Sequence, residues 1–294
     1  MKKILYSQKV APYVFILPFV LTVVLFWLFP IGNGILLSFQ DVVNQEWIGT
    51  RNYQRLLSDR IFFQAVWQSA RYTAGTLALL LPFPMLFASM LNSKLMKRPN
   101  FFKSIYFIPA LTSVVVAGTI FRLSFGQSGF ALANQVLGVF GIDPVHWLQH
   151  EWTGFFVLLL LACWRWTGVN ILYFLAGLQS IPTDLYEAAS IDGASKWQQF
   201  IRISVPLLKP TTVFVLTISI FAGFSMFLES SMLWLGVNSP MNIGLTIVGY
   251  LYRQGIERRH LGYACAVGLV LLVVIMVVNV IQLKATGSFK QEDN

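Results

Sequence analysis

The chain has 294 residues, of which 56% are hydrophobic and 15% aromatic, and only 11% are charged; its mean hydropathy is +0.66. Soluble domains carry about 25% charged residues, so this composition cannot cover a water-facing surface and excludes a soluble globular protein. Lys and Arg exceed Asp and Glu by 21 to 12, a net charge of +9; in so apolar a chain that excess marks the cytoplasmic ends of membrane spans and not a nucleic-acid partner. Cys163 and Cys265 both lie in apolar runs and offer neither a disulfide framework nor metal-ligand spacing.

A membrane-crossing helix needs about 20 apolar residues. In chain order the apolar runs predict six spans, over 12–37, 67–91, 104–125, 153–175, 211–235 and 261–283. The fold class is therefore all-α, a polytopic membrane protein whose residues 1–294 form one transmembrane domain. The start Met1-Lys2-Lys3 ahead of the first run looks like a signal peptide. That run is too long for one and no small-residue cleavage site follows it, so it reads as an uncleaved span. Pro82 and Pro84 fall inside the second span and predict a kink.

The connections alternate in charge. The N-terminus (Lys2, Lys3, Lys9), the 93–103 segment (Lys94, Lys97, Arg98, Lys103) and Lys196, Arg202, Lys209, Lys284 and Lys290 put 12 basic residues on one side. Arg51, Arg55, Arg60, Arg253, Arg258 and Arg259 put six on the other, and the 126–152 stretch there has none. The positive-inside bias places both termini in the cytoplasm. Trp47, Trp147 and Trp152 then suit an outer interfacial belt, and Arg71 and Arg122, near span ends, are expected to snorkel. His146 and His150 precede Glu151, but Pro144 and the neighbouring tryptophans favour an interfacial loop over a metal site.

Polar residues inside spans are costly and mark candidate functional positions. Arg165 and Asn170 interrupt the fourth span, and Ser225 and Glu229 the fifth. Trp164, Trp166 and Tyr173 have amphipathic rings suited to stacking on a sugar. Helical spacing puts Trp166, Asn170 and Tyr173 on one face. These seven residues are the candidate substrate pathway; the competing reading is interhelical hydrogen bonding with a structural Arg165–Glu229 pair.

The 179–210 segment, about thirty residues between the fourth and fifth spans, is no simple connector. Pro182-Thr183-Asp184 signals a helix start, and Gly193 a stop. A second amphipathic helix runs from Ser195 to about Pro206, with Trp197, Phe200, Ile201 and Ile203 partly on one face. The result is a helix–turn–helix knob whose apolar face needs either lipid headgroups or a soluble partner with a matching cleft.

Glu187-Ala188-Ala189, Gly193, Ile203 and Pro206 follow the pattern E-A-A-x3-G-x9-I-x-L-P, with Val205 in place of Leu. This segment resembles the coupling loop of the permease subunits of binding-protein-dependent ABC importers. Ala11-Pro12-Tyr13, Phe107-Ile108-Pro109 and the 175–179 run resemble the first-permease type of the maltose- and glycerol-phosphate-like carbohydrate branch. Residues 107–113, 163–166 and 242–246 look most like its arabinose or arabino-oligosaccharide and pectin-fragment (oligogalacturonide) permeases. The resemblance implies a type I importer permease in the bacterial inner membrane. It also implies a second, related permease subunit, two ATP-binding subunits and an extracytoplasmic sugar-binding protein.

In this reading Glu187, Ala188, Ala189, Gly193, Ile203 and Pro206 dock the ATPase, and unbroken helix from the knob into the fifth span transmits the force. ATP and magnesium belong to the ATPase subunits. This chain has no G-x-x-x-x-G-K-[ST] loop; Gly126-Gln127-Ser128-Gly129 lacks the lysine. It is therefore expected to bind no cofactor and to be no enzyme. The alternative, an ion-gradient-driven secondary transporter, needs ionisable residues in paired, broken-helix repeats. Only Arg165 and Glu229 qualify, and the knob stays unexplained. An intramembrane enzyme needs a nucleophile with a base or metal, and no histidine lies in a span.

Overall fold

A computed structural model describes residues 10–93 and 96–288. Lys2, Lys3, Lys9, Lys94 and Lys290 lie outside the described residues. Apart from one two-residue hairpin the described chain is helical. Four helices are long and apolar enough to cross a membrane, or up to six if each of two bent pairs is one span. Contacts divide the chain into two compact units, Met1–Asp59 with Leu251–Val270, and Arg60–Tyr250 with Leu271–Asn294.

The first unit opens with α1, Ala11–Ser38, close to the expected 12–37. Its turn Val24–Leu28 is widened to a π-helical turn. Pro30 supplies the reason: it has no N–H for the Phe26 carbonyl, and its ring crowds that oxygen. No residue of α1 before Ser38 is buried. An apolar helix with no buried face is stable only against lipid or another chain's helices. At its end Asn52 Nδ2 donates to the Ser38 carbonyl at 2.8 Å, and Ser38 Oγ shares a hydrogen bond with Tyr53 at 2.7 Å. The strands β1 (Gln40–Asp41) and β2 (Glu46–Trp47) pair antiparallel, Gln40 opposite Trp47, and lead to α2, Arg51–Leu57.

The second unit is built around one long helix. Its elements in order are α3 (Arg60–Asn92), α4 (Pro99–Leu111), α5 (Val114–Ser124), α6 (Leu132–Val139) and α7 (Glu151–Gln179). There follow α8 (Thr183–Ile191), α9 (Lys196–Leu207), α10 (Lys209–Phe224) and α11 (Leu228–Trp234). α12 (Ile247–Tyr252) and α13 (Leu261–Ala285) follow, and each is divided between the two units, at Tyr250 and at Val270. α7 is the hub, packed against α3, α4 and α10. It buries Val157, Leu161 and Ala162 in one apolar cluster and Ile171, Phe174 and Leu175 in another.

Within a bilayer, apolar contact alone gives helices little reason to associate, so close packing at small residues carries much of the association. Gly168 of α7 lies against the Tyr106 carbonyl of α4, and Gly177 against Thr211 of α10.

Two expected spans are broken. The third, 104–125, is two helices, α4 and α5, meeting at 94°. Pro109 interrupts the hydrogen-bond ladder, and Thr112 and Ser113 take extended backbone at ψ near 133° and 138°. The fifth, 211–235, stops at Phe224 and restarts at Leu228. The expected unbroken path from the knob into that span is also absent, because α9 and α10 meet at 66°. Pro210, in the first turn of α10, favours a fresh helix start over continuation. The second span is interrupted at the prolines, with helix ending at Leu80 and resuming at Pro82, and still runs as one long helix.

Gly168 offers a test of the α7–α4 contact. Gly168→Ala would drive a Cβ into the Tyr106 backbone, so it should destabilise the protein by about 1–3 kcal/mol. Gly138→Ala, which meets nothing within 4 Å, should leave the melting temperature in detergent unchanged.

Candidate functional site

A cavity of about 220 Å³ opens in the second unit between α3, α7, α10 and α11. From α7 come Trp166, Asn170 and Tyr173, the face expected from their spacing. From α3 come Tyr72 and Thr76, from α10 Ser219 and Gly223, and from the break after it Met226. Glu229 enters from the first turn of α11.

Asn170 has a structural duty as well. Its Nδ2 donates to the Leu80 carbonyl at 2.9 Å. That carbonyl would bond the N–H of residue 84, and Pro84 has none. The side chain thus heals the α3 break from a neighbouring helix, as a bilayer requires. The α10–α11 break is healed similarly, with Thr246 Oγ1 donating to the Met226 carbonyl at 2.7 Å.

Arg165 is not part of the cavity lining and pairs with Glu229, which is, Nη1 to Oε1, at 2.7 Å. The two side chains are only 8% and 12% exposed, so each charge depends on the other. The guanidinium also lies 5.2 Å from the Trp166 ring centre. Trp164 and Ser225 lie outside the lining; Trp164 faces Phe121, with ring centres 5.6 Å apart. Tyr72, Thr76, Ser219, Gly223 and Met226 were not anticipated. For α3 the signal was present, since Gln68, Ser69, Tyr72, Thr73 and Thr76 form a buried polar stripe at helical spacing. Arg71 pairs with Glu151 at 2.5 Å and lies 4.2 Å over the Phe155 ring, so it is held by protein where snorkelling was expected. Trp147 is likewise anchored inside its loop, its Nε1 donating to Asn134 Oδ1 at 2.8 Å.

The 179–210 segment forms the expected pair of helices. α8 ends at Gly193, whose φ of +77° only glycine adopts without strain, and Ala194 N closes the turn onto the Ala189 carbonyl at 2.8 Å. α9 starts with a capping box: Gln198 N donates to Ser195 Oγ at 3.3 Å and Ser195 N to Gln198 Oε1 at 2.7 Å. Gln199 Nε2 donates to Ser190 Oγ at 2.8 Å, and Tyr186 and Ser204 share a hydrogen bond at 2.9 Å, so the helices are tied together. A widened turn over Phe200–Ser204 accommodates Pro206, which removes the partner of the Arg202 carbonyl. Glu187, Ala188, Gly193 and Pro206 are exposed, and Ala189 and Ile203 half-buried. Ile191 is 87% and Trp197 61% exposed, an apolar tip with nothing over it among the described residues.

The first unit holds its own cavity of about 330 Å³, lined by Arg51, Arg55, His260 and Asp41 among others. Hydrogen bonds from the Asn44 side chain and backbone hold the Asp41 carboxyl below its usual range. Among the described residues no group of three His, Cys, Asp or Glu side chains could hold a metal ion.

Broken spans around a polar and aromatic cavity, with an exposed two-helix loop beside them, define a membrane transport permease. The chain matches the family described as binding-protein-dependent transport system inner membrane component over residues 7–284, and it belongs to that family. It is 53% identical over 293 residues to the arabinooligosaccharides transport system permease protein AraP of Bacillus subtilis (strain 168), covering 99% of this chain and 93% of that one. The AraP of Halalkalibacterium halodurans is 48% identical over 289 residues, with 98% and 91% covered. A crystal structure of a bacterial ABC transporter involved in the import of the acidic polysaccharide alginate superimposes with a TM-score of 0.85 at 25% identity, over 95% of each chain. The chain is thus a multi-pass inner-membrane permease subunit of an ABC transporter and not itself an ATPase. Family membership also decides against the ion-gradient alternative.

Arg165→Ala should cost about 3–5 kcal/mol, because it strands a nearly buried carboxylate. Thermal unfolding of the purified complex measures the loss, and Arg165→Ala/Glu229→Ala should recover most of it.

Proposed function

We propose that this chain forms half of the translocation pathway of an ATP-driven importer of arabino-oligosaccharides, with residues 1–294 acting as one permease domain. The carrying observation is the 53% identity to an arabinooligosaccharide permease across 99% of the chain. The cavity supports it chemically. Tyr72, Trp166 and Tyr173 offer aromatic faces to a sugar ring, and Asn170, Thr76, Ser219 and Glu229 offer hydrogen-bonding groups to its hydroxyls.

In this reading a second, related permease supplies the other half of the pathway. An extracytoplasmic sugar-binding protein delivers the substrate, and two ATP-binding subunits hold ATP and magnesium. Both termini and the 179–210 loop face the cytoplasm, following the bias of basic residues. Glu187, Ala188, Ala189, Gly193, Ile203 and Pro206 shape the knob that seats in an ATPase cleft, where Ile191 and Trp197 give it an apolar tip. Closure of the ATPase pair pulls the knob, and the 66° joint at Leu208 turns that pull into rotation of α10.

Uptake of labelled arabinotriose by cells carrying the full set of partner genes tests the function. Uptake should require ATP and be blocked by unlabelled arabino-oligosaccharides. Uptake of a uronide oligosaccharide alone would replace the substrate, and uptake that survives ATP depletion would overturn the coupling. For the knob, Gly193→Trp forces a side chain onto φ +77° and Glu187→Lys reverses an exposed charge. Both should insert normally yet lose most co-purifying ATPase subunit; wild-type recovery would remove the docking role.

A further inference from the structure

Fold alone does not set the charge of the sugar that such a permease passes, since the same architecture occurs in an importer of the acidic polysaccharide alginate. The cavity wall of this chain does carry a charge preference. Among its lining residues Glu229 is the one with a formal charge, and it is negative. Its cationic partner, Arg165, is committed to Glu229 at 2.7 Å and lies against the Trp166 ring, with its side chain 8% exposed. Arg165 Nε has no hydrogen-bond partner among the described residues, but it is buried and Arg165 is not part of the lining. A carboxylate on an entering uronide would therefore meet no cation on this wall and would face a like charge, an arrangement that rejects by repulsion as well as by desolvation. A neutral pentose oligomer brings only hydroxyls. An ionised carboxylate is acceptor-only and takes such donors in strong, charge-assisted bonds. Arg165 contributes by orienting the carboxylate and balancing its charge in a nearly buried site.

We propose that Glu229, positioned by Arg165, is the specificity-determining residue that admits neutral oligosaccharides and rejects anionic ones. The proposal deepens the arabino-oligosaccharide reading and rests on it. It also separates the two substrates that the sequence left open, favouring arabino-oligosaccharide over oligogalacturonide.

The test is equilibrium binding of labelled arabinotriose and labelled trigalacturonate to the assembled transporter in lipid nanodiscs, without its binding protein, so that only the membrane site discriminates. The wild type should bind arabinotriose and reject trigalacturonate by at least about tenfold. Glu229→Gln leaves Arg165 as an unmatched cation and should reverse that ratio. Arg165→Gln/Glu229→Gln buries no unpaired charge, so it keeps the test valid if the single variant fails to assemble. It should bind trigalacturonate more tightly than the wild type and less tightly than Glu229→Gln. A purely structural ion pair predicts instead that both sugars weaken together, with no ordering by charge. If the wild type prefers arabinotriose and the variants keep that preference, the charge role falls while the substrate reading stands. If the wild type binds trigalacturonate and not arabinotriose, both fall.

Discussion

A backbone carbonyl or N–H inside a bilayer has no water to turn to, and every break in a membrane helix must therefore be repaired by another part of the protein. This chain breaks its spans at Leu81, at Thr112 and at Ser225–Phe227, and the cavity lies beside two of those breaks. Asn170 covers the Leu80 carbonyl that Pro84 orphans, and Thr246 covers the Met226 carbonyl. The same need that holds the helices together brings polar side chains to the place where a polar solute would pass. Structural and pathway readings of Asn170 are therefore not rivals: one amide group repairs a helix and lines the cavity.

The ion pair of Arg165 and Glu229 follows the same logic with higher stakes. Either charge alone would be severely penalised at this depth of burial. Together they tie α7 to the short helix that follows the fifth-span break, and they leave a carboxylate facing the cavity. The knob obeys a different constraint. Its two helices are fastened by Gln199 to Ser190 and Tyr186 to Ser204, yet Ile191 and Trp197 stand in the open. The bend at Leu208 means that α9 and α10 meet at a joint and do not form a continuous rod.

Much of this was legible in the residues. Apolar runs located the membrane helices to within a few residues at the first and last spans, because an uncharged run of about 20 apolar residues matches the thickness of a bilayer and little else. Pro182 and Gly193 bounded the first helix of the knob because a missing N–H and positive φ leave a mark in any sequence. Pro82 and Pro84 announced the break in α3. The spacing of Trp166, Asn170 and Tyr173 put them on one face before any cavity was known.

Other features could not be read that way. The break at Phe227 has no proline, and only the folded chain shows that Thr246 Oγ1 donates to the Met226 carbonyl left free there. Trp164 and Trp166 are near neighbours of one residue type, and only packing sends the first to Phe121 and the second to the cavity. The polar stripe that holds Tyr72 and Thr76 was visible in the spacing of α3, but not that it meets α7 across a cavity. Composition and periodicity determined that this is a helical membrane protein, how its spans are ordered and where its knob lies, since each is a local property of the chain. Tertiary structure alone decided which polar groups meet across helices, because that depends on contacts between segments whose separation in sequence carries no signal of their distance in space.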